Sequence, residues 1–544
     1  MKMTSNSRRR FLTGISRSAV ALALRPDRLL FNAILASSFH SARAEAAGLS
    51  SARNYININM GGGPPRYMSD HWLRTRVDDP ALTENPYTAT SFRYDSNYNV
   101  VGFEHRTFAY NGVLVPNLFS ALSSEERSRF LDSFVVIRGY GTGIDGHGLN
   151  SALQQHPLAS APSIAGHIAD YSERTFQAVQ YPAKSGRFSS RTGVSTNKLR
   201  NADPLRQLLG ALTLTNRTRQ LSQSNSEAFA EVRSALNGIP EPTDAVRLAK
   251  ENLSRSQTLL NSSLGDFESE WPPLLEKYDV LVHDTIRSAY VPGVTSNHER
   301  DQQLTFIVDD TDVRFDTGTS DGYLADGSNI CLLGERATMG IAARFALAEY
   351  CLKNNLVSAL EVAAGSISGL GLAPGNASAT FDLGNDMHGA GGYVAFVAMS
   401  LYHLGIFKGV LELSYALERA GIWQDTVVHF TSEFDRSVGH TAGGSGHGTE
   451  QMIASVLGGA IQGGPYVAGN VSTFGDGRSP SQGVAHAIEG YANERPNPIM
   501  MASTVCELMR VDDNPWRNFA APLVKENPDG TLSLPFGPGK LVEL

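Results

Sequence analysis

The second half of the chain alternates helical and strand patterns in a way that few folds accommodate. Apolar residues at helical spacing over 338–353 precede a strand pattern at 359–364, and a long helical pattern near 393–420 precedes the apolar run 427–431. Gly421 stands where the end of a helix favours glycine. Strands that alternate with helices of this length predict a mostly parallel sheet with helices on both faces, in a doubly wound α/β/α sandwich.

The first half adds two strand patterns, and both end in glycine-rich loops. Asn54–Met60 alternates apolar and polar residues before the turn at Gly61–Pro65. Phe134–Arg138 is a short apolar run that leads into the glycine-rich loop 139–148. Both patterns predict strands that deliver tight turns. The ends of such strands are where open α/β sheets place their ligands.

Other segments lie outside this α/β framework. Leu, Ala and Val at helical spacing predict a helical insertion at about 202–288, and Leu304–Asp310 fits either a strand or an insertion hairpin. We therefore expect one α/β domain over 45–475. Residues 476–544 are expected to form a C-terminal extension packed on it, with one short helix at Ile499–Val511.

The amino terminus has the pattern of an export signal. Paired arginines within Ser7–Thr13 precede a mildly apolar run, and Ala42–Ala44 supplies the small residues of a cleavage site. Arg25–Arg28 interrupts the apolar run, so no membrane span is expected there. The alternative is a basic arm on a cytosolic protein. Residues 1–44 are interpreted as a twin-arginine signal, which implies the export machinery as a partner and a periplasmic or extracellular location.

Charge and cysteine content narrow the class of protein further. The predicted signal holds 8 of the 46 Lys and Arg residues and 1 of the 54 Asp and Glu residues, which leaves a mature chain of formal net charge −15. An acidic chain of this kind is not expected to bind nucleic acid. Three cysteines are an odd number and too few for a disulfide framework, which suits a protein that folds before export.

Charged side chains crowd the end of the last strand pattern. The run 427–431 leads directly into Glu433, Asp435 and Arg436. His447 follows between two glycines, where packing gives no reason for a histidine. These residue types at a strand end indicate a metal or phosphate-ester site. The alternative for Glu433 is a helix cap or a structural ion pair with Arg436.

A second polar loop lies about forty residues upstream. It carries Asp386 and His388, and the helical pattern between the two loops would bring both to the same edge of one sheet. Asp and His are common ligands of divalent metals. The neighbouring residues are Gly and Asn, so an ordinary turn around Asp386 is the alternative interpretation.

The order of these motifs resembles a known family. Strand-Gly-Gly-Pro, Val-Ile-Arg before a Gly/His loop, Ala161–His167, Asp-x-His, Ser-Glu-Phe-x-Arg, Gly-x-Gly-His-Gly and Leu457–Gly464 occur in sequence. Together they resemble the exported bacterial family called domain of unknown function 1501, which is grouped with the alkaline phosphatase and sulfatase superfamily. The resemblance covers most of residues 54–470. It implies an α/β/α sandwich that holds one or two divalent metals. The implied activity is hydrolysis of phosphate or sulfate esters, in small molecules or in polymers.

The resemblance also implies roles for particular residues. Asp386 and His388 match the family's Asp-Thr-His, Glu433 matches the Glu of its Glu-Phe-Gly-Arg, and His447 matches the histidine of its Asp-His. These residues are the expected ligands of zinc, manganese, calcium or iron. Arg436 matches the arginine of Glu-Phe-Gly-Arg, where it would bind an ester oxygen bidentately.

Three departures from the family's pattern bear on the metal. Tyr67 stands where the family usually carries Asp, which leaves Asp70 as the replacement ligand, and Gly446 replaces the Asp before the histidine. Asp435 replaces the family's Gly. Loss of carboxylates weakens a divalent site unless Asp70 or Asp435 compensates. A non-catalytic exported binding or scaffold protein with a degenerate metal site is therefore the alternative function.

The loop 139–148 is where this superfamily usually places its nucleophile, near the start of a helix. Thr142 and Ser151 are the available hydroxyls. Backbone N–H groups in such a loop can hold a phosphate oxygen, so His147 is a candidate substrate-binding residue. Asp435, in the Ser-Glu-Phe-x-Arg motif, is the second candidate. Glycine-rich turns between a strand and a helix are common, so a structural loop is the alternative. No Gly-x-Ser-x-Gly elbow supports a serine hydrolase.

Overall fold

The structure of the protein is a computed structural model. It describes residues 53–66, 68–70, 91–94, 100–104, 107–142, 144–172, 174, 176–182, 186–200, 234, 269–282, 284–285, 329–332, 339–364, 366–373, 381–384, 392–436, 447–448, 452–468, 471–472, 484–485, 496–511, 513–526 and 532–533. The predicted export signal, the segment 304–310, Tyr67, Asp386 and His388 lie outside the described residues. So do Gly446 and most of the predicted insertion 202–288.

Strands outnumber helices among the described elements. In chain order they are β1 (Asn54–Met60), β2 (Ser91–Tyr94), β3 (Val100–Glu104), β4 (Thr107–Tyr110), β5 (Val113–Pro116), β6 (Phe134–Tyr140), β7 (Phe176–Tyr181), β8 (Asn197–Lys198), β9 (Asn329–Leu332), β10 (Val357–Ala363), β11 (Ser366–Ala373), β12 (Phe381–Gly384), β13 (Thr426–Ser432), β14 (Asp435–Arg436), β15 (His447–Gly448), β16 (Met452–Gly458), β17 (Tyr466–Ala468), β18 (Val471–Ser472), β19 (Val484–Ala485), β20 (Lys525–Glu526) and β21 (Leu532–Ser533).

The labelled helices are fewer and vary widely in length. They are α1 (Ser124–Asp132), α2 (His147–Gln155), α3 (Ile164–Asp170), α4 (Met339–Lys353), α5 (Gly392–Arg419) and α6 (Pro498–Leu508). Residues 269–282 are also helical. The helices predicted near 338–353 and 393–420 are thus confirmed as α4 and α5, and the strands predicted between and after them as β10 and β13.

One mixed sheet organises the fold. Its eight strands lie in the order β17-β6-β16-β13-β1-β10-β7-β8. Each neighbouring pair is parallel except the two pairs that β16 makes, with β13 and with β6. The mostly parallel α/β sheet predicted from the alternation is therefore confirmed. In this sheet only β16 runs opposite to the rest.

Apolar side chains pack on both faces of this sheet, because successive residues of a strand point to opposite sides. On one face Ile56 and Ile58 of β1 belong to a buried cluster that includes Phe345 of α4 and Leu411 of α5. On the other face Tyr55 belongs to a second cluster, which includes buried residues of α3 and α6. The described helices therefore cover both faces, an arrangement compatible with an α/β/α sandwich.

The described part of the C-terminal extension packs against the second face. Met501 of α6 and the fully buried Trp516 lie in the same cluster as Val456 of β16. Cys351 and Cys506 are buried and form no disulfide. Among the helices that the structure describes, none is both long enough and apolar enough to cross a membrane.

Candidate functional site

Several loops meet at one edge of the central sheet. Because β1, β6 and β13 run in the same direction, their carboxyl ends lie together, and each is followed by a loop. The antiparallel β16 begins at this edge. It is preceded by His447 in β15, which pairs with Arg436 in β14. The topology therefore gathers residues that are about 300 positions apart in the sequence.

His147 and Glu433 form the central contact of this edge. His147 is the first residue of α2, and its Nδ1 lies 2.5 Å from Oε2 of Glu433. The backbone N–H of Gly62, in the turn after β1, donates to the same oxygen at 3.0 Å. Since Oε2 accepts from Gly62, we assign Nδ1 of His147 as the second donor. The structure thus joins two of the residues predicted from the sequence.

His447 forms a second pair of the same kind. Its Nδ1 is hydrogen-bonded to Oδ1 of Asp145, in the loop before α2. The ring of Phe434 stacks on the His447 imidazole with a centroid distance of 4.0 Å and meets the His147 ring edge-on at 4.7 Å. The two imidazole centroids are 5.0 Å apart. The aromatic ring therefore brings two histidine–carboxylate pairs into one cluster.

The two candidate hydroxyls have different partners. Thr142 Oγ1 donates to Oδ1 of Asn150, whose Nδ2 donates to the carbonyl of Ile144 at 2.6 Å. This bond gives the Thr142 proton a role in holding the loop before α2. Ser151 instead accepts a 3.1 Å hydrogen bond from Nδ2 of Asn59, at the end of β1. Ser151 lies one turn after His147 on α2, on the same side of the helix.

Asp70, predicted as a replacement metal ligand, lies in a buried ion pair. Arg66 Nε donates to its Oδ1 at 2.8 Å, Arg66 Nη2 also donates to Oδ2, and Ser455 Oγ donates to Oδ2 at 2.7 Å. Burial alone would raise the pKa of Asp70, but the Arg66 charge and these hydrogen bonds outweigh it and lower that pKa. The Asp70 carboxylate is therefore held as an anion by protein partners.

Two further charged residues lie near this ion pair. Asp435 is buried, and its Oδ1 accepts the backbone N–H of Arg66 at 3.0 Å. Arg138 of β6 is also buried, and burial lowers its pKa to about 10 against the opposing charges of Asp435 and Asp70. Nε and Nη1 of Arg138 have no hydrogen-bond partner in the described structure. Asp435, predicted to bind substrate, thus contacts the backbone that carries Arg66.

Sequence reasoning did not single out Arg66 or Phe434. For Arg66 a signal was available, since its spacing of four residues from Asp70 is the one that allows an ion pair within a helical turn. Phe434 lies inside the Ser-Glu-Phe-x-Arg motif, but nothing in that pattern indicates stacking on a histidine 13 positions away. The backbone of Arg436 is described in β14, whereas its side chain lies outside the described residues.

The described residues by themselves do not complete a metal site. No three His, Cys, Asp or Glu side chains among them are gathered as a metal ion would require. Two of the predicted ligands, Asp386 and His388, lie outside that part of the chain. His147 and His447 nevertheless have a chemistry that suits a ligand, because a carboxylate on Nδ1 orients a ring whose Nε2 binds metal.

Comparison with known proteins gives no match: no family model, no curated protein and no solved structure matches this chain.

Proposed function

We propose that this chain is an exported, metal-dependent hydrolase of phosphate or sulfate esters, with its centre at the edge where β1, β6 and β13 end. One observation carries the proposal. The pairs His147–Glu433 and His447–Asp145 meet on the ring of Phe434 at the start of α2. Groups able to transfer protons are therefore adjacent to a helix terminus suited to an anion.

The start of α2 supplies the anion-binding element. Its N-cap is Gly146, which provides no side-chain hydrogen bond to the first turn. A Cβ built at Gly146 or at Gly148 would meet no other atom within 4 Å, so there is room beside the first helical N–H groups. These groups and the helix dipole favour a negatively charged oxygen. A phosphate or sulfate oxygen placed there would lie beside His147.

The imidazole of His147 supplies the proton transfers. Glu433 fixes the ring of His147 and assigns the proton to Nδ1, which leaves Nε2 as the atom that exchanges a proton with water or with the leaving alkoxide. Asp145 orients the ring of His447 in the same way, which directs its Nε2 to the metal proposed below. His147 would take the proton of the attacking water at Nε2 as the base and, as the imidazolium formed in that step, return it to the departing oxygen as the acid. A positioned acid or base contributes about 10²–10⁴ in rate.

The metal remains part of the proposal. A divalent cation would supply Lewis acidity at the ester oxygens and acidify a bound water. His388 and Asp386, together with His447, are the residues we propose to hold it. Mass-spectrometric element analysis tests this against a His388→Ala/His447→Ala variant that still folds by circular dichroism. Near-stoichiometric zinc, manganese, calcium or iron that disappears in the variant supports the site, and equal metal content in both contradicts it.

Turnover is tested with the purified exported protein and chromogenic phosphate and sulfate esters. We expect His147→Gln to lower kcat by about 10²–10⁴ if His147 transfers a proton. His156→Gln is the matched control, because His156 directly follows the same helix and, within the described part of the chain, its side chain bonds a backbone carbonyl, that of Ala161, at 2.8 Å. Equal activity of His147→Gln and the control would refute the proposed role of His147.

A second candidate function has an observation in its favour. Asp70, the replacement for the family's usual Asp, is committed to Arg66 and Ser455. A chain that has lost this ligand fits a non-catalytic exported binding or scaffold protein on the same fold. Absence of metal and of turnover in the purified wild-type protein would favour this candidate over the hydrolase.

A further inference from the structure

The helix that carries His147 has a buried side made of polar residues. The buried residues of α2 are Asn150, Gln154 and Gln155. Most helices dock through an apolar stripe, and such contacts are not directional. Hydrogen bonds are directional, so they fix both the distance and the orientation of what they join. A helix docked in this way has a defined register against its strand.

Gln154 makes the most specific of these contacts. Its Oε1 accepts the backbone N–H of Ser432 at 3.2 Å, and its Nε2 donates to the Ser432 carbonyl. The side-chain amide therefore pairs with both polar groups of one residue, as a neighbouring strand would. Gln154 is 2 % exposed, so water does not compete strongly for these bonds.

Gln154 and Ser432 are each in the same element as, or adjacent in sequence to, a residue of the candidate site. Ser432 is the last residue of β13, and Glu433 follows it in the chain. His147 precedes Gln154 by seven residues, which is about two helical turns and the same side of α2. The bond between Gln154 and Ser432 therefore holds α2 against the strand end that presents Glu433.

We infer that Gln154 is a positioning residue that sets the contact between His147 and Glu433. Its effect on turnover rests on the proposed function, but the geometric claim does not. A misplacement of about 1 Å at a reacting group lowers rate by about 10²-fold. Replacing Gln154 with Met keeps the length of the side chain and removes both hydrogen bonds to Ser432.

The test compares Gln154→Met with Gln155→Met in the full chain. Gln155 is also buried in α2, but its Oε1 accepts the N–H of Arg187 at 2.6 Å and its Nε2 reaches Asn57 instead of the strand end at Ser432. The readout is the ¹⁵N and ¹H spectrum of protein labelled in histidine. The His147 signals are assigned by their loss in His147→Gln.

In the wild-type protein we expect His147 to show a single tautomer with the proton on Nδ1. Gln154→Met is expected to shift these signals toward a ring that exchanges between tautomers and, if the wild type has esterase activity, to lower kcat by about 10²-fold. Gln155→Met is expected to leave the His147 signals as in the wild type. Unchanged His147 signals in Gln154→Met, or equal shifts in both variants, overturn the inference.

The design separates this inference from the proposed function. The spectrum reports the His147–Glu433 contact whether or not the protein turns over an ester. An inactive wild type with a Gln154-dependent His147 signal therefore contradicts the hydrolase and supports the positioning role. If Gln154→Met does not fold, Gln154→Asn carries the same test, because its amide is one methylene shorter and is not expected to reach both backbone groups of Ser432.

Discussion

Replacement of Asp70 by Asn tests whether this carboxylate serves in a buried ion pair or as a metal ligand. The carboxylate of Asp70 accepts hydrogen bonds from Arg66 on both oxygens, from Ser455 on Oδ2, and from Ser69 on Oδ1 at 3.2 Å. Asn keeps one acceptor and places an N–H₂ group where the other oxygen was. That group points a donor at the donors that surround it, and the Arg66 guanidinium loses the carboxylate that it contacts through two nitrogen atoms.

The size of the effect follows from burial. The side chains of Arg66 and Asp70 are 1 % and 4 % exposed. Removing one member of a buried ion pair costs about 3–5 kcal/mol, because the remaining charge is desolvated and uncompensated. We therefore expect Asp70→Asn to lower the free energy of unfolding by about 3–5 kcal/mol. The Arg66→Met/Asp70→Leu double variant removes both charges of the pair and is expected to be more stable than Asp70→Asn.

Equilibrium unfolding in denaturant, with bound metal measured on the same samples, is the assay. Asp425→Asn is the matched control: Asp425 also pairs with an arginine, Arg53, at 2.6 Å, but its side chain is 43 % exposed. The control is expected to lose less than about 1 kcal/mol. A similarly small loss for Asp70→Asn, together with a loss of metal, would refute the structural role and return Asp70 to the metal site.

Three further predictions concern buried groups and backbone. Burial raises the pKa of Glu361 to about 7 in the folded protein, whereas the side chain has a pKa of about 4.3 in the unfolded chain. The contribution of Glu361 to folding stability is therefore complete below about pH 4.3 and is lost as the pH rises through 7. Glu361→Gln should therefore stabilise the protein by up to about 4 kcal/mol at pH 8.5 and not at pH 4, and an equal effect at both would contradict this. Burial lowers the pKa of His403 to about 4, so stability is lost as the pH falls from about 6.5 to 4; His403→Gln should flatten the unfolding free energy over that range. Gly63 has φ +61°, and a Cβ added there would lie 2.5 Å from the Phe434 ring. Gly112 also has a positive φ, +80°, but a Cβ added there would meet no atom within 4 Å. Gly63→Ala should therefore lower the melting temperature more than Gly112→Ala. Similar losses for the two glycine variants would show that the ring moves aside.

The α/β framework was predictable because its signals are local. Apolar runs such as Val427–Thr431 predict buried strands, and α4 and α5 follow from helical spacing in the sequence. Residue spacing did not predict α2, because its buried side is polar and gives no apolar period; only the family resemblance implied a helix start there. The direction of β16 was not predictable either. Its run Met452–Gly458 is apolar in the same way as that of a parallel strand, and only its partners in the sheet decide how it runs.

The candidate site was predictable in its residue types and not in its pairings. His147, Glu433 and His447 were chosen because they follow strand or glycine patterns, and the structure brings them together. Which carboxylate holds which imidazole depends on how three loops meet in space, so sequence spacing carried no information on it. Asp145 illustrates this, since its partner His447 lies 302 positions away.

The short pairing of β14 with β15 determines where His447 lies through the backbone and not through the imidazole itself. Arg436 lies opposite His447 and Asp435 opposite Gly448 in an antiparallel ladder, so the location of the imidazole is set by that ladder. Because a ladder is held by main-chain groups, a substitution at His447 is expected to remove the imidazole and to leave the path of the backbone around it in place. The chemistry of this position can therefore change without a change in the path of the chain.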